Sequence, residues 1–239
     1  AAIGGRRGRG LPHVLLADLT GVKYVANLHD PVRDYRLGPP WWHDLSIHLA
    51  YIPLQAVLVH DTLPSLSPVP PHLRVVQVPV GVYDLPAARR TREDVRTTWG
   101  AQPHHRVFLA FGYVRNGKNL NLAIEALATV PDAFVVIAGS VAAGHDRPFA
   151  FYRDIADRLG VADRVVLREG FVADSDLADY FLGTDFILLT YSAAFRSQSG
   201  VLNLAARARK SVLASAAPSP LLTVVQTYGL GVTIEPDTG

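Results

Sequence analysis

Short apolar runs alternate with polar turns and with segments whose apolar residues recur at helical spacing, and this rhythm continues through most of the chain. The apolar runs read as strands at Val14–Ala17, Tyr24–Leu28, Ala56–His60, Val75–Val78, Val107–Phe111, Phe134–Ala138, Val165–Leu167, Phe186–Thr190, Val212–Ala214 and Gly231–Ile234. The helical segments read as Trp42–Tyr51, Arg92–Trp99, Leu120–Thr129, Phe149–Leu159, Ser175–Leu182, Val201–Arg209 and Pro220–Tyr228. Nearly continuous apolar strands between helices predict parallel sheets covered on both faces, a doubly wound α/β architecture that binds ligands at the carboxyl ends of its strands. The rhythm is interrupted from Gly81 to Pro103, around Pro86, the run Ala88-Arg89-Arg90 and Gly100-Ala101-Gln102-Pro103. Two α/β lobes are therefore expected, residues 1–90 and 101–239, with 82–103 as the linker and a site in the cleft between them.

The chain has 239 residues and is 49 % hydrophobic, enough for one large core or two smaller ones. A net charge of +2 makes no global demand for nucleic acid, and Arg6, Arg7 and Arg9 lie among glycines as a local cluster. The absence of cysteine removes disulfides and thiolate metal sites. No apolar run approaches the ~18 residues that span a bilayer. The expectation is a soluble cytoplasmic protein, at most peripheral to a membrane. The chain begins at Ala1, lacks methionine and ends at Gly239 just after an apparent strand, which suggests a piece of a longer protein.

The densest chemistry follows the Val107–Phe111 run. Gly112 breaks the strand, Arg115 and Lys118 stand in the turn, and a helix begins near Leu120. A strand, a glycine turn, two cations and a helix start suit an anion, because free amides and side-chain cations face it together. An ordinary strand-to-helix connection with solvated cations fits the same residues. Asp174-Ser175-Asp176 has Asp-x-Asp form, but it precedes a helical pattern and is read as its cap, so no metal site is expected. His43 and His48 are five apart on a helix, outside the four-residue spacing of shared metal ligands. There is no P-loop, no Gly-x-Ser-x-Gly elbow and no G-x-G-x-x-G, the last counting against a dinucleotide dehydrogenase. Pro40-Trp41-Trp42 opens a helix whose aromatics are expected to pack in a core. Exposed, they would form a ridge able to meet a lipid-linked acceptor at a membrane surface.

Three segments in order resemble the glycosyltransferase family 4 pattern. They are Phe111-Gly112-Tyr113-Val114-Arg115-Asn116-Gly117-Lys118-Asn119, then Val165 to Val172 with Gly170-Phe171-Val172, then Asp185 through Thr190-Tyr191-Ser192 and Ser197-Gln198-Ser199-Gly200-Val201-Leu202 to Val212-Leu213-Ala214-Ser215. Leu28-His29-Asp30 is similar to the family's His-Asp. The resemblance implies a GT-B fold of two Rossmann-like lobes. The N-terminal lobe would be partial and on the acceptor side, the C-terminal lobe on the nucleotide-sugar side and short of its last helices. It implies a retaining, hexosyltransferase-like enzyme that needs no cofactor. The donor would be a nucleotide diphosphate sugar, and the acceptor a glycan or lipid-linked molecule of cell-surface polysaccharide synthesis.

His29, Arg115 and Lys118 would then be catalytic. Gly112, Gly170, Phe171, Val172 and the amides of Ser199, Gly200 and Val201 would hold the donor. Simpler readings stay open: a packed histidine, a strand end, and a helix cap at Ser199-Gly200. One departure stands out. Where many members carry Glu-x7-Glu, whose second Glu holds the donor ribose, this chain has Arg196 and Leu204. A non-catalytic module of the same fold, binding a sugar nucleotide or a protein partner, is the alternative.

Overall fold

A computed structural model describes residues 23–28, 39–60, 70, 73–78, 81 and 83–237. The chain divides into two compact units, Ala1–Gly81 and Val82–Gly239. The expected strand at Val14–Ala17 and the residues His29 and Asp30 lie outside the described residues.

In the first unit, strands β1 (Tyr24–Leu28), β2 (Leu54–Val59) and β3 (Arg74–Gln77) form a parallel sheet in the order β1-β2-β3. Helix α1 (Pro40–Tyr51) precedes β2, with proline at its start, where a missing amide costs no intrahelical bond. Tyr51, Leu54, Val57, Val59 and Leu73 form the core. Trp41 and Trp42 do not join it: they are 66 % and 46 % exposed, and Leu45 and Ile52 are exposed too. The expectation of a core-packed aromatic helix is thus corrected. The two indoles pack edge to face on each other, 5.8 Å between centroids.

The second unit is a six-stranded, wholly parallel sheet: β4 (Arg106–Phe111), β5 (Ala133–Gly139), β6 (Val165–Glu169), β7 (Phe186–Thr190), β8 (Ser211–Ser215) and β9 (Gly231–Thr233). Its order is β6-β5-β4-β7-β8-β9. The chain winds outward from β4 in one direction, returns to its other side at β7, and winds outward again. That is the doubly wound Rossmann order, with its switch point between β4 and β7.

Strand alternation explains why both faces are covered. Phe134, Val136 and Ala138 of β5 face one core with Val95, Trp99, Phe181 and Leu202. Ala133, Val135 and Ile137 face the other with Leu120, Ile124, Phe149, Tyr152 and Ile155. All seven residues of β5 are buried, as a central parallel strand requires.

Helices α2 (Arg92–Trp99), α3 (Leu120–Ala126), α4 (Phe149–Arg158), α5 (Asp174–Gly183), α6 (Gly200–Arg207) and α7 (Pro220–Thr227) flank this sheet. Thr91 caps α2 by accepting from the Asp94 amide at 3.1 Å, and Gly100 ends it at φ 79°. α3 is shorter than the expected Leu120–Thr129. Its tail tightens into i−3 bonds from Leu127, Ala128 and Thr129 ahead of Pro131.

Residues 82–103, read as a linker, belong to this second unit. Val95 and Trp99 of α2 pack on α5 so closely that a Cβ at Gly183 would stand 2.6 Å from Val95 and 2.7 Å from Trp99. Asp179, 1 % exposed, accepts from the amides of Arg89 and Arg90 and from Arg90 Nε at 3.0 Å. Asp185 accepts from the Val107 amide at 2.8 Å and pairs with both Arg92 and Arg96.

Candidate functional site

The switch point gathers the cations and glycines of the expected anion loop. β4 ends at Phe111, and Gly112 follows at φ +87°, a conformation that favours glycine. A Cβ built there would stand 3.9 Å from Lys118 Nζ and 3.8 Å from Val201 Cγ2. Lys118 and the first turn of α6 therefore meet over Gly112. Nζ donates to the Phe111 carbonyl at 2.8 Å, and the residue is half-buried. Burial first, and the nearby Arg115 charge second, lower its pKa from 10.5 to about 8. An anion arriving here would favour the charged form and raise the pKa again.

The turn that carries Lys118 is a short 3₁₀ segment, Asn116–Lys118, with Asn119 at φ 51°. It is fastened to the end of β7: Ser192 N donates to the Gly117 carbonyl at 2.8 Å, and Thr190 Oγ1 donates to the Lys118 carbonyl at 2.9 Å. Arg115 is exposed, its guanidinium 5.8 Å from the centre of the Tyr113 ring.

Ser199 precedes α6, and its side chain does not cap the helix. Its hydroxyl instead bonds the Tyr191 hydroxyl at 3.0 Å, and the Tyr191 ring stacks on Phe195 at 3.9 Å. The side-chain cap that Ser199-Gly200 suggests is thus corrected, because tertiary pairing takes the hydroxyl. Burial raises the Tyr191 pKa, against the Ser199 bond and the Arg115 charge. The amides of Gly200 and Val201, in the first turn, have no intrahelical acceptor.

Gly170, at φ +120°, ends β6 and donates to the Gly139 carbonyl at 2.8 Å. Phe171 is 87 % exposed, whereas Val172 packs against the core. Gly112, Gly139 and Gly170 thus end three adjacent strands, all at positive φ. Gly139 was absent from the expected site, although it closes its apolar run just as the other two glycines do. Asn116, Tyr191 and Asp146 were missed as well, since only tertiary pairing reveals them. Asp174 and Asp176 lie in the first turn of α5 with no side-chain cap bond, and Asp176 pairs with Arg89. Among the described residues, no group of three His, Cys, Asp or Glu could hold a metal ion. Nor is any helix among them long and apolar enough to cross a membrane.

Leu204, at the second position of the resembled acidic pair, is buried in the core, and Arg196, at the first, is exposed.

No family model and no curated protein sequence matches the chain. Solved structures do. Anabaena HepE in complex with UDP superposes with a TM-score of 0.75 at 17 % identity, covering 96 % of this chain and 63 % of that one. WaaG, a glycosyltransferase involved in lipopolysaccharide biosynthesis, gives 0.63 at 19 % identity, covering 88 % and 61 %. A glycosyltransferase from Rickettsia africae gives 0.64 at 12 % identity, covering 99 % and 70 %. The chain spans less than two thirds of the length of HepE and of WaaG. Its fold is the Rossmann-like α/β fold of GT-B glycosyltransferases.

Proposed function

We propose that the protein is a retaining glycosyltransferase, of the family 4 type that the motifs resemble, which takes its sugar from a nucleotide diphosphate sugar. The observation that carries this reading is the meeting of the Lys118 ammonium and the start of α6 over Gly112 at the switch point. The UDP held by HepE, a protein of similar fold, makes UDP the first nucleotide to test.

In this reading the acceptor hydroxyl oxygen attacks the anomeric carbon on the face from which the diphosphate leaves. The bond from that carbon to the diphosphate oxygen breaks, and the departing diphosphate takes the hydroxyl proton. Lys118, Arg115 and the amides of Gly200 and Val201 stabilise the charge that grows on the diphosphate. His29 contacts the donor sugar, and Gly170, Phe171 and Val172 offer backbone to the base. The charge is neutralised by these protein cations, with no cofactor invoked. A glycan or lipid-linked acceptor, in cell-surface polysaccharide synthesis, completes the reading. The exposed Trp41, Trp42, Leu45 and Ile52 support a lipid-linked one, and tryptophan emission with and without anionic vesicles tests it.

Calorimetric titration with UDP, GDP and their sugar conjugates tests the donor site. Binding of one of them, weakened in Lys118→Ala, is the expected result. Buried Leu204 and exposed Arg196 favour the second reading, a module of this fold that transfers nothing. Absence of nucleotide binding by a folded sample would overturn the first reading and favour the second in its protein-partner form.

A further inference from the structure

The loop that carries Lys118 does not hold its shape alone. It is laced to the loop after β5. Val114 N donates to the Ser140 carbonyl at 2.8 Å, and Ala142 N donates to the Val114 carbonyl at 3.1 Å. Below that bridge, one carboxylate clasps both loops. Asp146 Oδ1 accepts from the Asn116 amide at 2.9 Å, and Oδ2 accepts from the Ala143 amide at 3.1 Å. The Asn116 side chain answers in the other direction. Its Oδ1 accepts from the Arg147 amide at 2.9 Å, and its Nδ2 donates to the His145 carbonyl at 3.3 Å. Arg147 pins the far side, donating to Asn121 Oδ1 at 3.2 Å with its guanidinium 4.5 Å from the centre of the Phe151 ring. Lys118 stands two residues beyond Asn116, with its own carbonyl held by Thr190.

We propose that Asp146 and Asn116 are positioning residues that hold the Lys118 ammonium over Gly112. Neither touches the proposed donor. Three hydrogen bonds between residue 116 and residues 143–147 would be superfluous for a solvated turn, because each group could bond water at little net cost. They become necessary if the three-residue turn must present its lysine at one height, half-buried, against the Phe111 carbonyl. The inference rests on the donor reading for its consequence in binding, but its geometric content stands apart from that reading.

The sign of one measurement separates positioning from simple charge. Deleting the Asp146 carboxylate removes a negative charge, and by charge alone would lower the Lys118 titration midpoint. Releasing the loop would let the ammonium regain water and would raise the midpoint from about 8 toward the ordinary 10.5. The test is an NMR titration of the intact chain labelled at lysine Cε, with Lys118 assigned by its loss in Lys118→Ala. Asp146→Ala is expected to raise the midpoint. Asp146→Asn keeps an acceptor for the Asn116 amide and is expected to leave the midpoint near the wild-type value. Arg164→Ala removes bonds to the carbonyls of Leu127, Val130, Pro131 and Ala133 outside these two loops, and controls for general loosening.

An unchanged or lowered midpoint in Asp146→Ala, or an equal rise in Arg164→Ala, overturns the proposal. Should Asp146→Ala fail to fold, Asn116→Ala carries the same expectation and the same overturning outcomes. Titration with UDP and GDP runs in parallel, and the variants that raise the midpoint are expected to bind about tenfold more weakly, the scale of one misplaced hydrogen bond. If wild type binds no nucleotide while the midpoint still rises, the donor reading fails and the positioning inference stands. If wild type binds and the midpoint does not move, the reverse holds.

Discussion

Gly139 has no room for a side chain, because the carbonyl oxygen of Gly112 occupies the place where its Cβ would stand. Gly170, one strand further out, has nothing within 4 Å of that place and is constrained only by its φ of +120°. The two glycines therefore do different work at neighbouring strand ends. Gly139→Ala must push β5 from β4 at the switch point and is expected to cost about 3 kcal/mol or more. Gly170→Ala bears backbone strain alone, about 1–3 kcal/mol. Urea unfolding of both variants by circular dichroism checks the ranking; equal losses would disprove the steric account.

Lys118 makes the proposed donor site sensitive to alkali. With its pKa lowered to about 8, the free lysine loses charge above that pH, and a bound diphosphate must recover the proton. Affinity for UDP is expected to fall between pH 7 and pH 9 with proton uptake, visible as a dependence of the calorimetric heat on the buffer. Lys118→Ala should abolish that dependence and cost about 1.5–3 kcal/mol of binding at pH 7. Fold stability runs the other way. The unfolded lysine holds its proton up to about 10.5, so this group's contribution to stability rises with pH between about 8 and 10.5.

Asp185 works at the other end of the sheet. Burial opposes its charge, but the Val107 amide and the guanidinium groups of Arg92 and Arg96 outweigh that and hold its pKa below the usual carboxylate value. A carboxyl lowered on folding contributes stability above its unfolded pKa and loses it as pH falls through the folded one. Asp185→Asn is expected to cost about 1–3 kcal/mol at neutral pH. The difference from wild type should narrow steadily once the pH drops below the ordinary carboxylate range, as denaturant melts along an acid series would reveal.

Leu204 bears on donor choice. The resemblance implies an acid at this position gripping the ribose, whereas the side chain here belongs to the hydrophobic core. UDP and its 2′-deoxy counterpart are therefore expected to bind with equal affinity in a competition titration. A clear preference for UDP would mean that some other group reads the hydroxyl. Leu204→Ala should act on stability instead, costing about 2–5 kcal/mol as a buried truncation does.

The elements were legible where one physical cause dominated. Tyr24–Leu28, Phe186–Thr190 and Arg92–Trp99 have the bounds that their apolar pattern and caps predict. Gly112 and Lys118 were legible as a pair because a glycine that stops a strand and a cation before a helix are both local signals. Asp146 carried no such signal: thirty residues separate it from Asn116, and only the parallel pairing of β4 with β5 brings the two together. For Ser199 the neighbours along the chain leave a helix cap open beside a donor contact, and neither reading foretells that its hydroxyl bonds Tyr191. Trp41 and Trp42 depart from the expected core packing for a related reason: composition tells how apolar a helix is, but not which of its faces finds a partner.

The close seat of Val95 and Trp99 against Gly183, with Arg89 and Arg90 held by the carboxylate of Asp179, decides where the second unit could be cut free. A piece started at the proline after Gln102 would leave a greasy trench along α5 and a stranded buried charge at Asp179. A piece started upstream of Arg89 would keep its own lid. For anyone wishing to crystallise or label that half alone, the first residue to keep lies near Tyr83, some twenty positions before the sheet begins.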